Sequence, residues 1–312
     1  MSKIYTLTLN PAVDKSSEVN RVIAEHKLRC DIPKFEPGGG GINVSRAIKK
    51  LGGHSVAIYP KGGPIGELMF ELLKKEHIEQ LPIDIKDWTR ENFIVVEKEN
   101  NRQFRFGMPG PTLLENEWKQ CLEKVIDPSI NIDFLVASGS MPDGVPIDFY
   151  GKLANACKKN DTKLVVDTSG EALSAAVDEG IFLLKPNVNE LGELIGRKLS
   201  NIHDQEAAAE EVINTKKIEV LIVSLGASGA ILASKKEGVI HVSAPSVEKK
   251  STVGAGDSMV AGIIYTISKG KSMLEAIRYG VACGTAATMN SGTELCKLED
   301  VEHLYKWIAK AR

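Results

Sequence analysis

From about residue 130 onward, short runs rich in β-branched residues alternate with segments of helical periodicity. Parallel strands need long crossover connections, usually helices, so this alternation predicts βαβ units around a parallel sheet. Three helical segments then follow Gly256 with little strand signal between them, and the capping-box spacing of Ser272 and Glu275 predicts where the second begins. The strand-like runs are DFLVA, KLVVD, IFLLK and EVLIVS, at residues 133–137, 163–167, 181–185 and 219–224.

The first third of the chain is less regular. IYTLTL predicts a strand, and INVSRAIKKLGG predicts a helix that begins at Ile42 and ends at glycine. FIVVEKENNRQFRF has two alternating stretches around Asn100 and Asn101, which predict a hairpin. The extended segments at about 12–36 and 89–108 are expected to form a small β appendage. The whole chain of 312 residues is expected to be one domain.

The charge balance limits the kinds of partner. Lys and Arg number 39 and Asp and Glu number 41, so no basic surface for nucleic acid or acidic membranes is expected. No apolar run has the roughly 20 residues that span a bilayer, and the N-terminus becomes polar too early for a signal peptide. These features predict a cytoplasmic protein with small-molecule partners. The scattered cysteines, without a CxxC pair, argue against a disulfide framework or a zinc site.

The stretch STVGAGDSMV, at residues 251–260, combines a backbone that should bind an anion with a negatively charged aspartate. Gly254, Ala255 and Gly256 precede an apolar run of helical periodicity, so free N–H groups and the positive end of a helix dipole are expected there. Asp257 follows directly, and its carboxylate is expected to be stabilised in the ionised form. The stretch therefore predicts a site in which an anion-binding backbone and a carboxylate lie side by side.

The glycine cluster in FEPGGGGINVSRA, at residues 35–47, predicts contact with a polyol such as a sugar. A Rossmann dinucleotide site needs GxGxxG directly after a buried strand, and here Ile42, Asn43 and Val44 occupy the positions where the last glycine would be needed. Consecutive glycines let a ligand lie against the backbone, and Asn43 offers donors and an acceptor to hydroxyl groups. A flexible turn followed by a helix cap is the alternative.

Four charged side chains could contact such a ligand. Asp14, in TLNPAVDKS, could accept hydrogen bonds from two sugar hydroxyls, although Asp in an Asn-Pro loop also serves turn formation. Arg90 and Arg105 in the appendage would suit a substrate phosphate, and so would Lys27. Each of these cations could equally be a solvated surface charge.

Two further segments could serve a nucleotide and its metal ion. In KPNVNELGEL, Asn187 and Glu190 lie on one face of a predicted helix start, which suits either Mg²⁺ held through water or a plain N-cap with a first-turn Glu. SLGASGA, at residues 224–230, follows the apolar strand EVLIV, at the strand end where α/β sheets bind ligands. It either offers free amides to nucleotide phosphates or forms a hairpin turn.

In the order GGGGINVSRA, KPNVNE, SLGASG and STVGAGDSM, these motifs resemble the PfkB branch of the ribokinase-like carbohydrate kinases, over essentially the whole chain. The resemblance implies an α/β fold: a three-layer main domain with a mainly parallel central sheet, plus a small β-sheet lid. It also implies an enzyme that uses ATP and Mg²⁺, with K⁺ near the anion cradle, and a homodimer in which the two lids interlock.

Further stretches narrow the implied substrate. IYTLTLNPAVD, KDWTREN, RFGMPG and AATMNSGTELC are most similar to the family members that phosphorylate fructose 6-phosphate to fructose 1,6-bisphosphate in glycolysis. Relatives that act on fructose 1-phosphate or tagatose 6-phosphate typically carry a lysine where this chain has Gly40. Gly40 therefore favours fructose 6-phosphate, with the other two sugar phosphates as alternatives.

The resemblance also implies roles for individual residues. Asp257 would be the base, and the anion hole would be formed by Gly254, Ala255 and Gly256. The sugar phosphate would be held by Asp14, Gly39, Gly40, Asn43, Arg90, Arg105 and Ser140, with Lys27 reaching it from the lid, within the chain or across the dimer. ATP would face Lys185, Asn187, Ser224, Gly226, Gly229, Val281 and Thr285, and Mg²⁺ would be positioned through water by Asn187 and Glu190. K⁺ would lie among Ser251, Val253, Ala287, Asn290, Gly292 and Glu294, the last of which stands where the family pattern has arginine.

Overall fold

Two β-sheets and ten helices make up the computed structural model, which describes residues 2–127, 129–290 and 292–310. Residues 1, 311 and 312 of the expected domain lie outside the described part. In chain order the strands are β1 (Ile4–Leu7), β2 (Ala12–Val19), β3 (Lys34–Gly38), β4 (Val56–Lys61), β5 (Glu79–Asp84), β6 (Arg90–Glu97), β7 (Gln103–Phe106), β8 (Phe134–Ser138), β9 (Lys163–Asp167), β10 (Ile181–Leu184), β11 (Ile218–Ser224), β12 (Ala230–Ser234) and β13 (Gly238–Val242). The helices are α1 (Gly40–Lys50), α2 (Gly63–Lys75), α3 (Glu115–Ile126), α4 (Phe149–Lys159), α5 (Gly170–Glu179), α6 (Val188–Ile195), α7 (Ile202–Thr215), α8 (Ala255–Ser268), α9 (Met273–Thr288) and α10 (Leu298–Lys310).

The larger sheet is mainly parallel, as the alternation of strands and helices predicts. Its strand order is β13-β12-β11-β10-β9-β8-β1-β4-β5. The strands from β11 to β5 pair in parallel, and β12 and β13 add two antiparallel pairs at one edge. The four strand-like runs of the sequence are β8, β9, β10 and β11, each within one residue of its expected bounds.

Helices cover both faces of this sheet and complete a three-layer structure. One face packs against α3 to α7 through buried side chains such as Phe149 and Ala209. The other face packs against α1, α8, α9 and α10, where Val260 is buried. A smaller cluster, which includes Met69 of α2 and Val13 of β2, connects these layers to the second sheet. Within the described residues, no helix has the length and apolar character needed to cross a membrane.

The second sheet has four strands from two separate parts of the chain, in the order β3-β2-β6-β7. β2 pairs in parallel with β6, while β3 and β7 pair antiparallel at the two edges. β6 and β7 form the hairpin expected around Asn100 and Asn101, and Asn101 has a φ of 56°, the left-handed conformation that such turns use. The expected small β-sheet is therefore present, and of its strands only β3, which ends at Gly38, extends beyond the two predicted segments.

The observed helix starts agree with the predicted ones in the second half of the chain, whereas the first helix begins earlier than predicted. α8, α9 and α10 are the three expected helices, and Ser272 and Glu275 form the reciprocal capping box. The first helix begins at Gly40, earlier than the expected start at Ile42. Gly39, with a φ of 114°, is its N-cap, and the Gly39 carbonyl accepts the 2.8 Å bond that closes the first turn. The end of the glycine cluster is therefore helical rather than a flexible loop.

Candidate active site

Polar residues collect at the carboxyl ends of the central strands. Ser138 ends β8, Asp167 ends β9, Lys185 follows β10, and Ser224 ends β11. The first turn of α8 lies at the same edge, since a Cβ added to Gly256 would be 3.6 Å from Lys185 Nζ. Adjacent parallel strands end together at this edge, where α/β sheets bind ligands.

The turn before α8 has the backbone form of an anion cradle. Gly254 is the N-cap, with a φ of 71°, and a Cβ there would come 2.5 Å from Leu295 Cδ2. Its conformation therefore favours glycine, and a side chain there would displace Leu295. Ala255, Gly256 and Asp257 form the first turn, whose N–H groups have no acceptor within the helix. These amides can receive a phosphate at the positive end of the helix dipole.

Asp257 joins this cradle to the glycine cluster. Its Oδ2 accepts a 2.9 Å hydrogen bond from Asn43 Nδ2 on α1, so the carboxylate faces the side on which the sugar is expected. The pKa of Asp257 is raised to about 6, first by burial and then by the Asp167 carboxylate. The Asn43 hydrogen bond and the Lys185 ammonium lower the pKa and so limit the shift. The net shift is opposite in direction to the expected stabilisation of the ionised form, because desolvation and the like charge of Asp167 favour the protonated form.

Asp167 is a site residue that was missed from the sequence. Its Oδ1 lies 3.1 Å from the Nζ of Lys185, whose side chain is buried. Burial alone would lower the pKa of Lys185, but Asp167, followed by Glu190 and Asp257, raises it above its usual value. Lys185 therefore keeps its positive charge among three carboxyl groups. The available signal was an acidic residue at the end of KLVVD, beside the strand that leads to Lys185.

The loop after β10 forms the helix cap that was one of the two interpretations of this motif, and the role in positioning Mg²⁺ stays a prediction. Asn187 Oδ1 accepts bonds from the N–H groups of Asn189 (2.9 Å) and Glu190 (3.0 Å), and Glu190 Oε2 accepts one from Asn187 N–H (2.7 Å). Burial, supplemented by the nearby Asp167 carboxylate, raises the pKa of Glu190. Among the described residues, no group of three or more His, Cys, Asp and Glu side chains is placed to hold a metal directly. Mg²⁺ held through its own waters needs no such group.

The SLGASGA segment forms the hairpin turn of its alternative interpretation. It joins β11 to β12, and Leu225 N–H donates a 2.9 Å bond to the Gly229 carbonyl. Gly226 and Gly229 have φ values of 60° and 97°, which favour glycine. The turn still begins at the ligand-binding edge, because Ser224 N–H bonds to the Pro186 carbonyl (2.9 Å) in the loop after β10.

Val281 and Thr285 differ in their access to a ligand. Val281 is 1% exposed and belongs to the core between the sheet and the α8–α9 layer. Thr285, on the same helix, is partly exposed. Of the two, Thr285 offers a polar group at the surface, and contact with ATP stays a prediction for both.

Asp14 lies within β2 rather than in a turn, so the turn alternative is wrong. Its Oδ1 accepts a 2.8 Å bond from Asn92 Nδ2 on the neighbouring strand β6. Burial raises the pKa of Asp14, although the Asn92 bond and the Arg105 guanidinium act in the opposite direction. Gly38 packs against the carboxylate, since a Cβ there would lie 2.6 Å from Oδ2. Asn92 was missed because a strand position alone does not reveal its cross-strand partner.

Arg90 and Asn10 carry polar atoms that are buried without a partner. Arg90 donates to the carbonyls of Met108 and Asn10, each at 3.1 Å, but Arg90 Nε meets no acceptor in the described part of the chain. Asn10 Nδ2 donates to Ser140 Oγ at 3.1 Å, while Asn10 Oδ1 is likewise unpaired among the described residues. Such atoms favour a polar ligand. Asn10, which was not assigned a role from the sequence, therefore lines the site with Arg90 and Ser140.

Lys27 is not joined to these residues within one chain. It is exposed in the connection between β2 and β3, and none of the hydrogen bonds or ion pairs of the described residues involves its side chain. Its expected contact with the sugar phosphate stays a prediction.

Three of the six residues expected around K⁺, Ser251, Val253 and Gly292, are joined by hydrogen bonds beside the anion cradle. Ser251 Oγ donates to the Gly292 carbonyl at 2.8 Å and accepts from Val253 N–H at 3.2 Å. These are oxygen-rich backbone and hydroxyl groups, the ligand type that suits a hard cation. The Glu294 carboxylate lies 3.6 Å from Lys297 Nζ, so its side chain is engaged there. The remaining pair, Asn290 and Ala287, is joined by a 3.2 Å backbone bond.

A family model described as pfkB family carbohydrate kinase matches residues 6–300 of the chain. The chain belongs to this family. The resemblance inferred from the two glycine-rich motifs is thereby confirmed, and the three-layer α/β structure with its small sheet is the ribokinase-like fold expected from it.

Several relatives of this pfkB kinase match it over most of their length. The ATP-dependent 6-phosphofructokinase isozyme 2 of Escherichia coli is 44% identical, over 99% of this chain and 100% of the relative. The 1-phosphofructokinase of Bacillus subtilis is 36% identical, over 93% of this chain and 95% of the relative. Structures of Escherichia coli phosphofructokinase-2 in complex with potassium and with fructose-6-phosphate give TM-scores of 0.95 and 0.93, at 44% and 42% identity, each over 99% of this chain and 100% of that chain.

Proposed function

We propose that this kinase transfers the γ-phosphoryl group of ATP to the 1-hydroxyl of fructose 6-phosphate, giving fructose 1,6-bisphosphate in glycolysis. The observation that carries the proposal is the Asn43–Asp257 hydrogen bond of 2.9 Å, which sets a carboxylate between the glycine cluster and the anion cradle. The strong similarity to a 6-phosphofructokinase over the whole chain supports the same activity. A glycolytic role would place the enzyme in the cytoplasm.

Asp257 would accept the proton of the attacking hydroxyl. A loose phosphoryl-transfer transition state needs little activation of the nucleophile, so alignment and charge neutralisation dominate. With a pKa of about 6, the Asp257 carboxyl group is mostly ionised at neutral pH and is a better base than a free aspartate. The amides of Gly254 to Gly256 and the Lys185 ammonium would neutralise charge on the transferred group.

The sugar side would be formed by groups that suit hydroxyls and a phosphate. Asp14 and Asn43 would bond the hydroxyls of the sugar, against the backbone of Gly39 and Gly40. Arg90, Arg105 and Ser140 would receive the 6-phosphate, with Lys27 contributing from a partner subunit. The unpaired Arg90 Nε and Asn10 Oδ1 within the described chain support a polar ligand at this wall.

Gly40 supports fructose 6-phosphate over the two alternative substrates. A Cβ at Gly40 would come 2.2 Å from Ser138 Oγ and 2.8 Å from the backbone nitrogen of Gly139. A lysine at this position, typical of the relatives that use the other sugar phosphates, would require the end of β8 to shift. The sequence identity to the 1-phosphofructokinase relative is also lower, at 36%, which favours fructose 6-phosphate as well.

ATP would lie along the strand ends of β10 and β11, facing Lys185, Asn187, the Ser224–Gly229 turn and Thr285. Mg²⁺, positioned through water near Glu190 and Asn187, would supply charge neutralisation for the phosphates. K⁺ would occupy the group of oxygen donors formed by Ser251, Val253, Ala287, Asn290, Gly292 and Glu294. The potassium complex of Escherichia coli phosphofructokinase-2 supports this assignment.

The four-stranded sheet would serve as a lid over the sugar and as the surface of a homodimer. Large hydrophobic side chains are exposed along it and its loops, at Ile23, Leu28, Ile32, Phe106 and Met108. Exposed apolar groups concentrated in one region favour an interface. The proposed single domain would then consist of the three-layer body and this lid, at about residues 12–36 and 89–108.

A coupled ADP-release assay tests the function. We expect turnover with fructose 6-phosphate to exceed that with fructose 1-phosphate, tagatose 6-phosphate or free fructose by at least about tenfold in kcat/KM, a difference of about 1.4 kcal/mol in transition-state binding. Each sugar is assayed with and without K⁺, and Asp257→Asn enzyme controls for contaminating kinases. Turnover of free fructose alone would refute a phosphosugar kinase, and a preference for either other sugar phosphate would reassign the substrate.

A further inference from the structure

Thr293 and Glu36 connect the two sides of the site. Thr293 Oγ1 donates a 2.7 Å hydrogen bond to Glu36 Oε2, and both residues are buried. Glu36 lies in β3, just before the glycine cluster that enters α1, whereas Thr293 lies in the loop between α9 and α10. The contact therefore joins segments 257 positions apart in the sequence.

Glu36 is held on its other oxygen by two cations. Oε1 lies 3.1 Å from Lys34 Nζ and 3.6 Å from Arg46 Nη2. Arg46 is itself buried and donates to the Pro37 carbonyl at 2.8 Å, which ties the end of β3 to α1. Burial alone would raise the pKa of Glu36, but the Thr293 bond, Lys34 and Arg46 lower it below its usual value. Glu36 is thus a buried anion whose second oxygen depends on Thr293.

The loop that carries Thr293 also contacts the anion cradle. The Gly292 carbonyl accepts the 2.8 Å bond from Ser251 Oγ, at the start of the segment that leads to α8. On the other side of Thr293, Leu295 packs so closely against Gly254 that a Cβ there would lie 2.5 Å from Leu295 Cδ2. Residues 292–295 therefore contact both the backbone of the cradle and the base of the four-stranded sheet.

We propose that the Thr293–Glu36 hydrogen bond is a positioning contact that keeps the sugar-binding glycine cluster aligned with the phosphate cradle. Thr293 acts through Glu36 on one side and through Gly292 and Leu295 on the other. In-line transfer depends on this alignment, and a misplacement of about 1 Å can lower the rate on the order of 10²-fold. The inference rests on the proposed function, because it takes the two sides to bind a sugar phosphate and a nucleotide.

The test compares variants with and without the hydroxyl. Thr293→Val removes it at similar volume, Thr293→Ala is a second hydroxyl-free variant in case the first does not fold, and Thr293→Ser retains it. We expect the first two to lose about tenfold in kcat per folded enzyme. The calorimetric Kd for fructose 6-phosphate should stay within about twofold of wild type, since the sugar contacts themselves are unchanged. Thr293→Ser should restore kcat to within about twofold of wild type.

A second variant separates the hydrogen bond from the charge. Glu36→Gln keeps an acceptor for the Thr293 hydroxyl but removes the negative charge facing Lys34 and Arg46. We expect its kcat to stay within about threefold of wild type. A loss as large as that of Thr293→Val would assign the effect to the charge and overturn the proposal.

Hydrogen exchange gives a readout that does not depend on turnover. Fructose 6-phosphate should slow exchange of the peptide that spans residues 251–258 in the wild type, and Thr293→Val should lose this protection while keeping it at residues 38–43. The proposal would be overturned if the hydroxyl-free variants kept wild-type kcat and wild-type protection. It would also be overturned if Thr293→Ser lost as much kcat and protection as Thr293→Val. If wild-type enzyme does not bind fructose 6-phosphate, the proposed function falls and this inference falls with it.

Discussion

Asp257 shows how one carboxyl group is adjusted by its neighbours. Burial and Asp167 raise its pKa to about 6, while the Asn43 bond and Lys185 limit the rise. A carboxyl group that titrates near neutrality is a stronger base than an exposed aspartate and is still largely ionised at pH 7. The residue can therefore accept a proton without a strong driving force, which suffices for a loose transition state.

Replacing Asp257 with Asn should abolish proton acceptance while preserving shape. We expect Asp257→Asn to lose on the order of 10² to 10⁴ in kcat, with little change in the Kd for fructose 6-phosphate. Steady-state kinetics and calorimetry measure the two quantities. Asp161→Asn, an exposed aspartate with a φ of 55° that asparagine tolerates, is the matched control. Activity of Asp257→Asn within about tenfold of wild type would remove Asp257 from the role of base.

At the scale of elements, the strand ends of β9 and β10 determine the charge around Asp257. Asp167 and Lys185 lie side by side at these ends because the two strands pair in parallel, and Asp167 Oδ1 is 3.1 Å from Lys185 Nζ. α8 brings Asp257 to the same edge from a distant part of the sequence. Besides burial, two elements to which Asp257 does not belong therefore adjust the acidity of this proposed base, in opposite directions.

The pH dependence of the reaction should report this arrangement. Protonated Asp257 cannot accept a proton, so kcat/KM should fall as the pH decreases through about 6. Removing the Asp167 charge should shift this acidic limb to lower pH in Asp167→Asn, because a like charge raises the pKa of Asp257. The sugar phosphate also titrates near pH 6, but its contribution is the same for both enzymes. An acidic limb that does not move in the variant would contradict the assignment.

The same elements explain which features could be predicted from sequence. The parallel order of β8 to β11, the capping boxes and the anion cradle before α8 follow from local patterns, since turn residues and periodicity act within a few positions. Asp167, Asn92 and Asn10 acquire their roles from neighbours on adjacent strands or loops, which a single sequence does not reveal. The raised pKa of Asp257 belongs to this second group, because it depends on burial and on Asp167.

At the scale of the whole molecule, the four-stranded sheet and its adjoining loops present apolar side chains to solvent. Ile32 is 94% exposed, and Ile23, Phe106 and Met108 are each more than two-fifths exposed. The loop between β2 and β3 carries both Ile32 and Lys27. A partner subunit that covers this surface would bring its own loop, and with it a lysine, close to the sheet.

Introducing a charge at Ile32 tests the proposed dimer. We expect Ile32→Asp to convert a dimer into a monomer, as measured by light scattering after size-exclusion chromatography, because an unpaired carboxylate would be desolvated in the interface. The KM for fructose 6-phosphate should rise as well if Lys27 acts across the dimer. Ile147→Asp, at another exposed isoleucine outside the sheet, is the control. A variant that remains dimeric, or dissociation of the control, would place the interface elsewhere.

The parallel pairing of β2 with β6 has a consequence for how the protein folds. Asp14 and Asn92, which bond across this pair, are 78 residues apart, and β3, α1, β4, α2 and β5 lie between them. Closing so long a loop is entropically unfavourable until the intervening elements are in place. The proposed sugar-binding surface should therefore be among the last parts to assemble on the folding pathway. Partly folded chains would already contain the phosphate cradle but would have no sheet to recognise the sugar.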